Sequence, residues 1–200
     1  AADALGARAR YQPGCAGRLM SHIVILSGPS GAGKSSVARS LCERYDRTVH
    51  VETDLFFEMI QMGHINPMRP ESERQNHMIS RAVARAATAY AQDLYAVFID
   101  GVVGPHLLPV YLEELRPAGA PVHFVLLRPT LDETFRRAAP RDPARRMTEQ
   151  QHRDLYAQFV RYGDFAGLTI DNTSLTADQA ADRVMDACGA GDCLVLSPAR

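Results

Sequence analysis

Short apolar runs alternate with stretches of helical periodicity along this chain. Five runs are apolar or rich in β-branched residues, which is typical of buried strands, and they lie at 22–27, 48–52, 95–99, 122–127 and 168–170. Between them, apolar residues recur at helical spacing and predict helices at 34–45, 55–62, 71–92, 131–138, 148–162 and 176–187. This alternation predicts an α/β fold with a parallel sheet that is covered on both faces.

The two ends of the chain lie outside this pattern. Residues 1–19 contain three arginines but no apolar segment, and Met20 directly precedes the first predicted strand. We therefore expect residues 1–19 to be a disordered upstream extension or expression remnant, and residues 20–188 to form one domain. Residues 189–200 contain Gly, Pro and Ser, and we expect them to be a flexible tail.

Composition narrows the class of protein without indicating a partner. Lys plus Arg total 22 and Asp plus Glu 23, so bulk charge does not favour nucleic acid or a membrane surface. No apolar run approaches the ~20 residues that span a bilayer. The four cysteines form no CxxC pair and have no His/Cys spacing typical of zinc, so we expect free thiols in a reducing cytoplasm. They are Cys15, Cys42, Cys188 and Cys193.

One segment between the first strand and the first helix has a complete phosphate-binding pattern. Residues 28–35 read GPSGAGKS and satisfy GxxxxGK[ST] at every position. Glycines let successive backbone N–H groups point at one phosphate, and the helix start adds its positive dipole end. Lys34 should reach the outer phosphates of ATP, and the Ser35 hydroxyl should bind Mg²⁺. The predicted nucleotide site consists of Gly28, Pro29, Ser30, Gly31, Ala32, Gly33, Lys34, Ser35 and Ser36.

Two carboxylates follow predicted strands, at the edge where open parallel sheets bind their ligands. Asp54 can accept a proton from an attacking hydroxyl or orient that hydroxyl toward the γ-phosphate. It can also cap the helix that follows, and the two roles are compatible. Asp100 ends the apolar run VFID, the Walker B pattern, in which the acid supports the magnesium shell. We therefore assign Asp54 to the acceptor, and Ser35 and Asp100 to the metal.

A proline-containing segment after the helix at 131–138 is rich in arginine, with five arginines at 136–146. Guanidinium groups stabilise charge on phosphoryl oxygens, and a loop that carries them can close over the site. We predict an arginine-rich lid at about 137–147; the alternative is a solvated basic loop. The turn at 171–173, Asp-Asn-Thr, is either a base-contacting turn or an Asx-turn. Three isolated histidines are interpreted as structural: His106, His123 and His152.

From about residue 21 to residue 187, the chain resembles small P-loop phosphotransferases, the group that contains adenylate, shikimate and gluconate kinases. Within that group it is most similar to chloramphenicol phosphotransferase-like proteins. The similar segments are ILSGPSGAGKSS at 25–36, ETDLFF at 52–57, VFIDG at 97–101 and LLRPTLDETFRRAAPR at 126–141. The resemblance implies a three-layer α/β/α P-loop NTPase fold with a five-stranded parallel sheet in the order 2-3-1-4-5.

The same resemblance implies roles for particular residues. Lys34 and Ser35 would serve phosphate and metal, and Asp54 would contact the acceptor hydroxyl. Arg137 and Arg141 have the spacing of the lid arginines. The segment GPSGAGKSS alone is similar to guanylate kinase, but the arginine- and tyrosine-containing segment that binds GMP is missing. The loop 63–77 matches no substrate signature, and we expect it to contribute to the acceptor pocket.

These observations favour an ATP-dependent phosphotransferase that moves the γ-phosphate to a hydroxyl of a small molecule, such as an antibiotic, a sugar or a metabolite. A nucleoside, nucleotide or polynucleotide 5′-end kinase is an alternative, although the near-zero net charge argues against long nucleic acid. A further alternative is a nucleotide-dependent switch or toxin-like protein, whose partner would be another macromolecule.

Overall fold

Strands and helices alternate along the computed structural model, which describes residues 21–139 and 147–198. Two single-turn 3-10 helices lie at Pro70–Ser72 and Arg116–Ala118. The strands are β1 Ile23–Ser27, β2 Thr48–Glu52, β3 Ala96–Asp100, β4 Val122–Leu127, β5 Leu168–Ile170 and β6 Leu194–Leu196. The helices are α1 Lys34–Cys42, α2 Thr53–Glu58, α3 Glu73–Gln92, α4 Leu108–Leu115, α5 Leu131–Ala138, α6 Glu149–Tyr162 and α7 Ala177–Ala190.

The sheet has the expected parallel strand order, β2-β3-β1-β4-β5. Its centre is β1, which pairs with β3 through Ile23 and Val97 and with β4 through Ile23 and Val122. Since β1, β2 and β3 run in one direction, their carboxyl ends meet at one edge of the sheet. The phosphate loop, the start of α2 and the residue after β3 therefore all lie at this edge, where the sequence analysis expects a ligand.

A sixth strand extends the predicted five. The carboxyl-terminal half of β4 pairs with β5, and β6 pairs antiparallel with the other half through Val122 and His123. The expectation of a flexible tail from residue 189 is wrong for this part of the chain. Instead, α7 runs to Ala190, Gly191 ends it with a left-handed φ of 82°, and the chain returns to the open half of β4.

Helices cover both faces of the sheet, as the three-layer expectation requires. On one face, Ile23 and Ile25 pack against α3, α4 and α6, where Tyr111 and Leu115 are fully buried. On the other face, residues of alternating register such as Val24 and Leu26 pack against α1 and α7. Because successive strand residues point to opposite faces, one apolar strand supplies both cores.

Helix α4 is an element that the sequence analysis did not predict. Leu107, Leu108, Tyr111 and Leu115 are buried and lie on one side of it. Their spacing is the i, i+1, i+4, i+8 pattern of an amphipathic helix, so the signal was present in the sequence. Proline in the first turn is compatible with this start, because the first-turn N–H groups have no intrahelical partner. The helix matters because it forms one wall of the cavity described below.

The longest described helix, α3, has 20 residues and one buried face. Ile79, Val83 and Ala87 lie on that face, whereas Arg74, Arg81 and Arg85 are exposed. Within residues 21–139 and 147–198, no helix combines the length and the apolarity that crossing a bilayer would require.

Candidate active site

The phosphate loop is held in a conformation that only glycine adopts without strain. Gly31 and Gly33 have φ angles of 77° and 91°. A Cβ at Gly31 would lie 2.9 Å from the carbonyl carbon of Thr134 and closer still to its oxygen. A Cβ at Gly28 would lie 3.1 Å from the Cβ of Ala32 and would collide with the Leu127 carbonyl. The loop thus packs backbone to backbone against β4 and α5.

The N-terminus of α1 is left open to a ligand. Gly33 occupies the N-cap position, and among the described residues no side chain caps the helix. The first turn also contains no acidic residue, and Ser36 in that turn is exposed. Uncapped N–H groups together with the positive end of the helix dipole suit a phosphate group, so the nine-residue helix fits the nucleotide that the motif predicts.

Lys34 and Ser35, the first residues of α1, lie beside the Walker B acid. The ammonium group of Lys34 donates hydrogen bonds of 3.1 Å to the carbonyl oxygens of Gly28 and Pro29, so it lies across the loop. The Ser35 hydroxyl lies near the Asp100 carboxylate and acts to lower the pKa of that carboxyl group. Hydroxyl and carboxylate oxygens are the ligands that Mg²⁺ prefers, so these residues fit the predicted metal.

Asp100 is buried yet stays ionised. Burial acts to raise the pKa of this carboxyl group, but His50, the charge of Lys34 and the Ser35 hydroxyl outweigh it, and the pKa is lowered from its usual value. The sequence analysis missed His50, whose Nε2 lies 3.4 Å from Asp100 Oδ2 and whose Nδ1 lies 3.6 Å from a Glu52 carboxylate oxygen. The pairing of β2 with β3 brings these groups together, because Glu52 and Asp100 are register partners.

Arg137 is fixed beside the phosphate loop. It belongs to α5, and its guanidinium donates to the carbonyl oxygens of Asn172 and Thr173, at 2.8 and 3.1 Å, and to a Glu133 carboxylate oxygen at 2.6 Å. Its Nη1 lies 3.4 Å from the Ala32 carbonyl oxygen, within the loop itself. The predicted lid at about 137–147 is therefore helical at its first two positions, and Arg137 is anchored rather than carried on a loop.

Arg141, the second arginine assigned to the lid, lies outside the described residues. The elements on either side of that segment are packed together. The His152 Nε2 of α6 lies 2.9 Å from the Thr134 hydroxyl of α5, and the His152 ring stacks on Phe135 with 4.2 Å between centroids. His152 therefore has the structural role expected of it, joining α5 to α6.

The turn after β5 supports the phosphate loop. Asp171 Oδ1 accepts a 2.9 Å hydrogen bond from the Thr173 N–H, which is the Asx-turn alternative of the sequence analysis. Asn172 is buried, and its amide donates to the Ala32 carbonyl oxygen at 2.9 Å. This contact was missed because it joins residues 140 positions apart in the chain. Asn172 thus binds the phosphate loop through its side-chain amide and Arg137 through its backbone carbonyl.

A cavity of about 400 Å³ lies next to the phosphate side, between α2, α3, α4 and α6. Asp54, which is exposed, lines this cavity, as do Asn66, Pro67 and Met68 of the loop 63–77. Helix α2 begins at Thr53, so Asp54 lies within its first turn and does not occupy the N-cap. A carboxylate is favourable there because of the helix dipole.

The wall of the cavity is in contact with the end of β3, where Asp100 lies. A Cβ on Gly101, the residue after Asp100, would lie 3.0 Å from the Cβ of Thr53. Tyr111 is buried beside Thr53; burial raises the pKa of its hydroxyl, and the neighbouring Thr53 and Ser80 hydroxyls act in the opposite direction. These contacts leave no space for a side chain at Gly101 and place the start of α2 directly against the end of β3.

Two hydrogen bonds to Ser27 fix the loop between β3 and α4. The Ser27 hydroxyl at the end of β1 donates to the Val103 carbonyl oxygen at 2.8 Å and accepts from the Val103 N–H at 3.0 Å. Val102, Gly104 and His106 of this loop line the cavity. The strand that leads into the phosphate loop therefore also positions part of the cavity wall.

Comparison with known families agrees with this geometry. A family model described as AAA domain matches residues 23–162, which is well over half of the chain. The chain belongs to this family. The resemblance to small P-loop phosphotransferases, drawn from the motifs, is confirmed by the family and by the kinase structures that share the fold. No curated protein matches the chain in sequence.

Several solved structures share the fold of this chain. An unliganded sugar kinase from Janibacter sp. HTCC2649 has a TM-score of 0.62 and 18% identity, over 86% of this chain and 97% of that chain. The tunicamycin resistance protein of Deinococcus radiodurans has a TM-score of 0.60 and 20% identity, over 90% and 99%. Shikimate kinase from Acinetobacter baumannii, in complex with shikimate, has a TM-score of 0.57 and 22% identity, over 86% and 94%.

Proposed function

We propose that this protein transfers the γ-phosphate of ATP to a hydroxyl group of a small molecule. The observation that carries the proposal is the cavity lined by Asp54, which opens at the sheet edge that also holds the phosphate loop. A carboxylate in a small-molecule pocket beside a phosphate site has the position that hydroxyl phosphorylation needs. A protein that only binds or slowly hydrolyses nucleotide would not need such a pocket.

The nucleotide would be held by the loop from Gly28 to Ser36 and by the open N-terminus of α1. Lys34, which now donates to loop carbonyls, would turn its ammonium group to the outer phosphates. Ser35 and Asp100 would hold Mg²⁺, which neutralises charge on the β- and γ-phosphates. The low pKa of Asp100 keeps this carboxylate ionised for that purpose.

Asp54 would bind the acceptor hydroxyl and take its proton on a carboxylate oxygen as the hydroxyl attacks the γ-phosphorus, and the bond to the β-phosphate oxygen breaks so that ADP leaves. Arg137 would place its guanidinium against the charge that builds up on the transferred group. Its bonds to Asn172 and Thr173 would hold it beside the phosphate loop before substrate binds. Arg141 would add a second guanidinium from the lid.

The lining of the cavity indicates the chemical class of the acceptor. The apolar side chains in the lining include Phe57, Ile79, Leu107, Leu155 and Phe159. The neutral amide side chains are Asn66, Asn76, Gln151 and Gln158. Of the described residues that line it, none is lysine or arginine. Among these described lining residues, a carboxylate or phosphate group on the acceptor would meet only the His106 imidazole as a possible cation, so its desolvation would be costly. We accordingly propose an uncharged, partly apolar acceptor with several hydroxyl or amide groups.

The comparisons support this class without selecting one member. A sugar kinase and a tunicamycin resistance protein share the fold over nearly their whole length. Shikimate kinase also shares it, and its acceptor carries a carboxylate. A panel that pairs uncharged polyhydroxyl compounds and hydroxylated antibiotics with acidic ones such as shikimate therefore tests the charge argument directly.

The test combines binding and turnover. Each compound is incubated with the full chain, ATP and Mg²⁺, and phosphorylated product is detected by mass spectrometry. Asp54→Asn should retain ATP binding, measured as a nucleotide-dependent rise in Tm, but reduce transfer by on the order of 10² or more. The control Asp186→Asn removes an exposed carboxylate on α7 and should leave transfer unchanged. Lys34→Ala should abolish nucleotide-dependent turnover.

Three outcomes would contradict parts of the proposal. If ATP binds but no small molecule accepts phosphate, the kinase assignment fails. If Asp54→Asn transfers phosphate normally, the reaction stands but Asp54 loses its role. Efficient phosphorylation of acidic acceptors alone would refute the charge argument only.

A further inference from the structure

Three potential metal ligands meet at the sheet edge opposite to the phosphate loop. His123 is the second residue of β4, Cys188 lies in the last turn of α7, and Cys193 directly precedes β6. Since β4 is parallel to β1, its first residues lie at the end of the sheet away from the loop that follows β1. This cluster is therefore separate from the Ser35 and Asp100 site.

The distances within the cluster suit a single tetrahedral ion. The sulfur atoms of Cys188 and Cys193 are 3.5 Å apart, and the Cys193 sulfur is 3.5 Å from His123 Nδ1. All three ligand atoms lie within 4.8 Å of one another. A tetrahedral Zn²⁺ with bonds of about 2.3 Å to sulfur and about 2.0 Å to nitrogen separates two sulfurs by about 3.8 Å and sulfur from nitrogen by about 3.5 Å. The two 3.5 Å spacings match within about 0.3 Å, and the spacing between Cys188 and His123, at most 4.8 Å, would shorten as both residues bind the ion.

The backbone holds the two cysteines in this arrangement without a metal. Gly191 adopts a left-handed conformation, and its N–H donates to the Cys188 carbonyl oxygen at 3.2 Å. The Asp192 N–H closes the turn on the Ala187 carbonyl oxygen at 3.0 Å. The Cys193 carbonyl oxygen then accepts from the Phe124 N–H at 2.8 Å, which ties the turn to β4 next to His123.

We propose that His123, Cys188 and Cys193 bind a divalent transition-metal ion of the Zn²⁺ class. Two thiolates and an imidazole prefer such an ion over Mg²⁺, which takes oxygen ligands. His123 and Cys193 are buried, and Cys188 is half-buried, so the fourth position opens on the Cys188 side to a water molecule. The ion would join β4, α7 and β6, and its contribution is to stability rather than to phosphate transfer.

The test uses the reduced full-length chain, titrated anaerobically with Co²⁺ as a spectroscopic probe and then with Zn²⁺. Binding should produce a thiolate-to-cobalt charge-transfer band and the visible bands of tetrahedral Co²⁺, at one ion per chain, and Zn²⁺ should displace them. Zn²⁺ should also raise the Tm. Both effects are independent of kinase activity.

Variants separate this site from other thiols. Cys188→Ser changes the half-buried ligand and should lower Co²⁺ affinity by on the order of 10² or more while the fold is retained. His123→Asn should do the same. The double variant Cys15→Ser/Cys42→Ser keeps all three proposed ligands and should bind as the original chain does.

The proposal is overturned if Co²⁺ gives no charge-transfer band with the reduced chain, or if folded Cys188→Ser binds with unchanged affinity. It is also overturned if the reduced chain binds no metal while mild oxidation joins Cys188 to Cys193 with the loss of two hydrogens, since the pair would then be a dithiol and not a ligand set.

Discussion

Replacement of Gly31 by alanine should destabilise the protein through one identifiable contact. With a φ of 77°, Gly31 lies in the left-handed region, and a Cβ there would lie 2.9 Å from the Thr134 carbonyl carbon and closer to its oxygen. The obstacle is the backbone of α5, which cannot rotate away as a side chain would. Either the phosphate loop or the whole first turn of α5 must move.

The expected loss has two parts. The left-handed conformation costs a residue with a side chain about 1–2 kcal/mol. Displacing a packed backbone to make room for the methyl group adds about 1–3 kcal/mol. Gly119→Ala isolates the first part, because Gly119 has a φ of 63° but nothing lies within 4 Å of its Cβ position. The difference between the two variants, about 2 kcal/mol, is therefore the contact between the phosphate loop and α5.

The assay is thermal and urea unfolding of both variants, followed by circular dichroism. For a chain of this size, about 2 kcal/mol corresponds to a Tm about 4–8 °C lower for Gly31→Ala than for Gly119→Ala. Because α5 carries Arg137, Gly31→Ala should also weaken the Tm rise that ATP produces, whereas Gly119→Ala should not.

Equal Tm values for the two variants would refute this reasoning. That result would mean that the loop relaxes without displacing α5, and that Gly31 is required for its φ angle alone. A lower Tm for Gly31→Ala with unchanged ATP response would retain the packing argument but disconnect the loop from Arg137.

Three further perturbations test other parts of the structure. Leu115→Ala, in the fully buried face of α4, should cost about 2–5 kcal/mol in urea unfolding, and a loss below about 1 kcal/mol would show that α4 is not part of the core. Asn172→Ala removes the buried hydrogen bond to the Ala32 carbonyl oxygen and should lower the free energy of unfolding by about 1–3 kcal/mol and weaken ATP binding. An unchanged ATP affinity would contradict the inference that Asn172 supports the phosphate loop. Hydrogen bonds from Arg136 hold the pKa of Glu133 at about 2, whereas the pKa of a glutamate in the unfolded chain is about 4.3. The ionised Glu133 therefore stabilises the folded state fully at pH values above the unfolded pKa, and this stabilisation is lost as the pH falls through about 2. NMR titration of the Glu133 carboxyl group should find this low pKa. Glu133→Gln should make the free energy of unfolding less dependent on pH in the acidic range. Titration of Glu133 near pH 4 in the folded chain would show that its ion pairs do not form.

Elements with strong local periodicity were predictable from sequence. The five parallel strands, α3 and α6 were located within a few residues, because each has a run of apolar or β-branched residues or a clear helical repeat. Helix α4 also has a helical repeat, at Leu107, Leu108, Tyr111 and Leu115. It was not predicted because prolines lie on both sides of this segment. The strand β6 was missed because it lies in a segment with Gly, Pro and Ser, and its pairing depends on the half of β4 that β5 does not cover.

The sequence by itself determined the phosphate loop. The loop occupies eight consecutive residues between a strand and a helix, and the glycines at 28, 31 and 33 permit the positive φ angles that it needs. All of the required information is local, so a pattern of residue types is sufficient to predict it. The carboxylates at the ends of β2 and β3 were predictable for the same reason, from their position after an apolar run.

Only the tertiary structure decided which distant side chains meet. Strand register brings His50 to Asp100, and helix packing brings Arg137 to a turn 35 positions away. His123 and Cys193 are 70 positions apart, so no spacing rule for zinc ligands could connect them. Distances between elements depend on strand order and on how helices pack on the sheet. Those are properties of the whole fold, and the separation of two residues along the chain does not encode them.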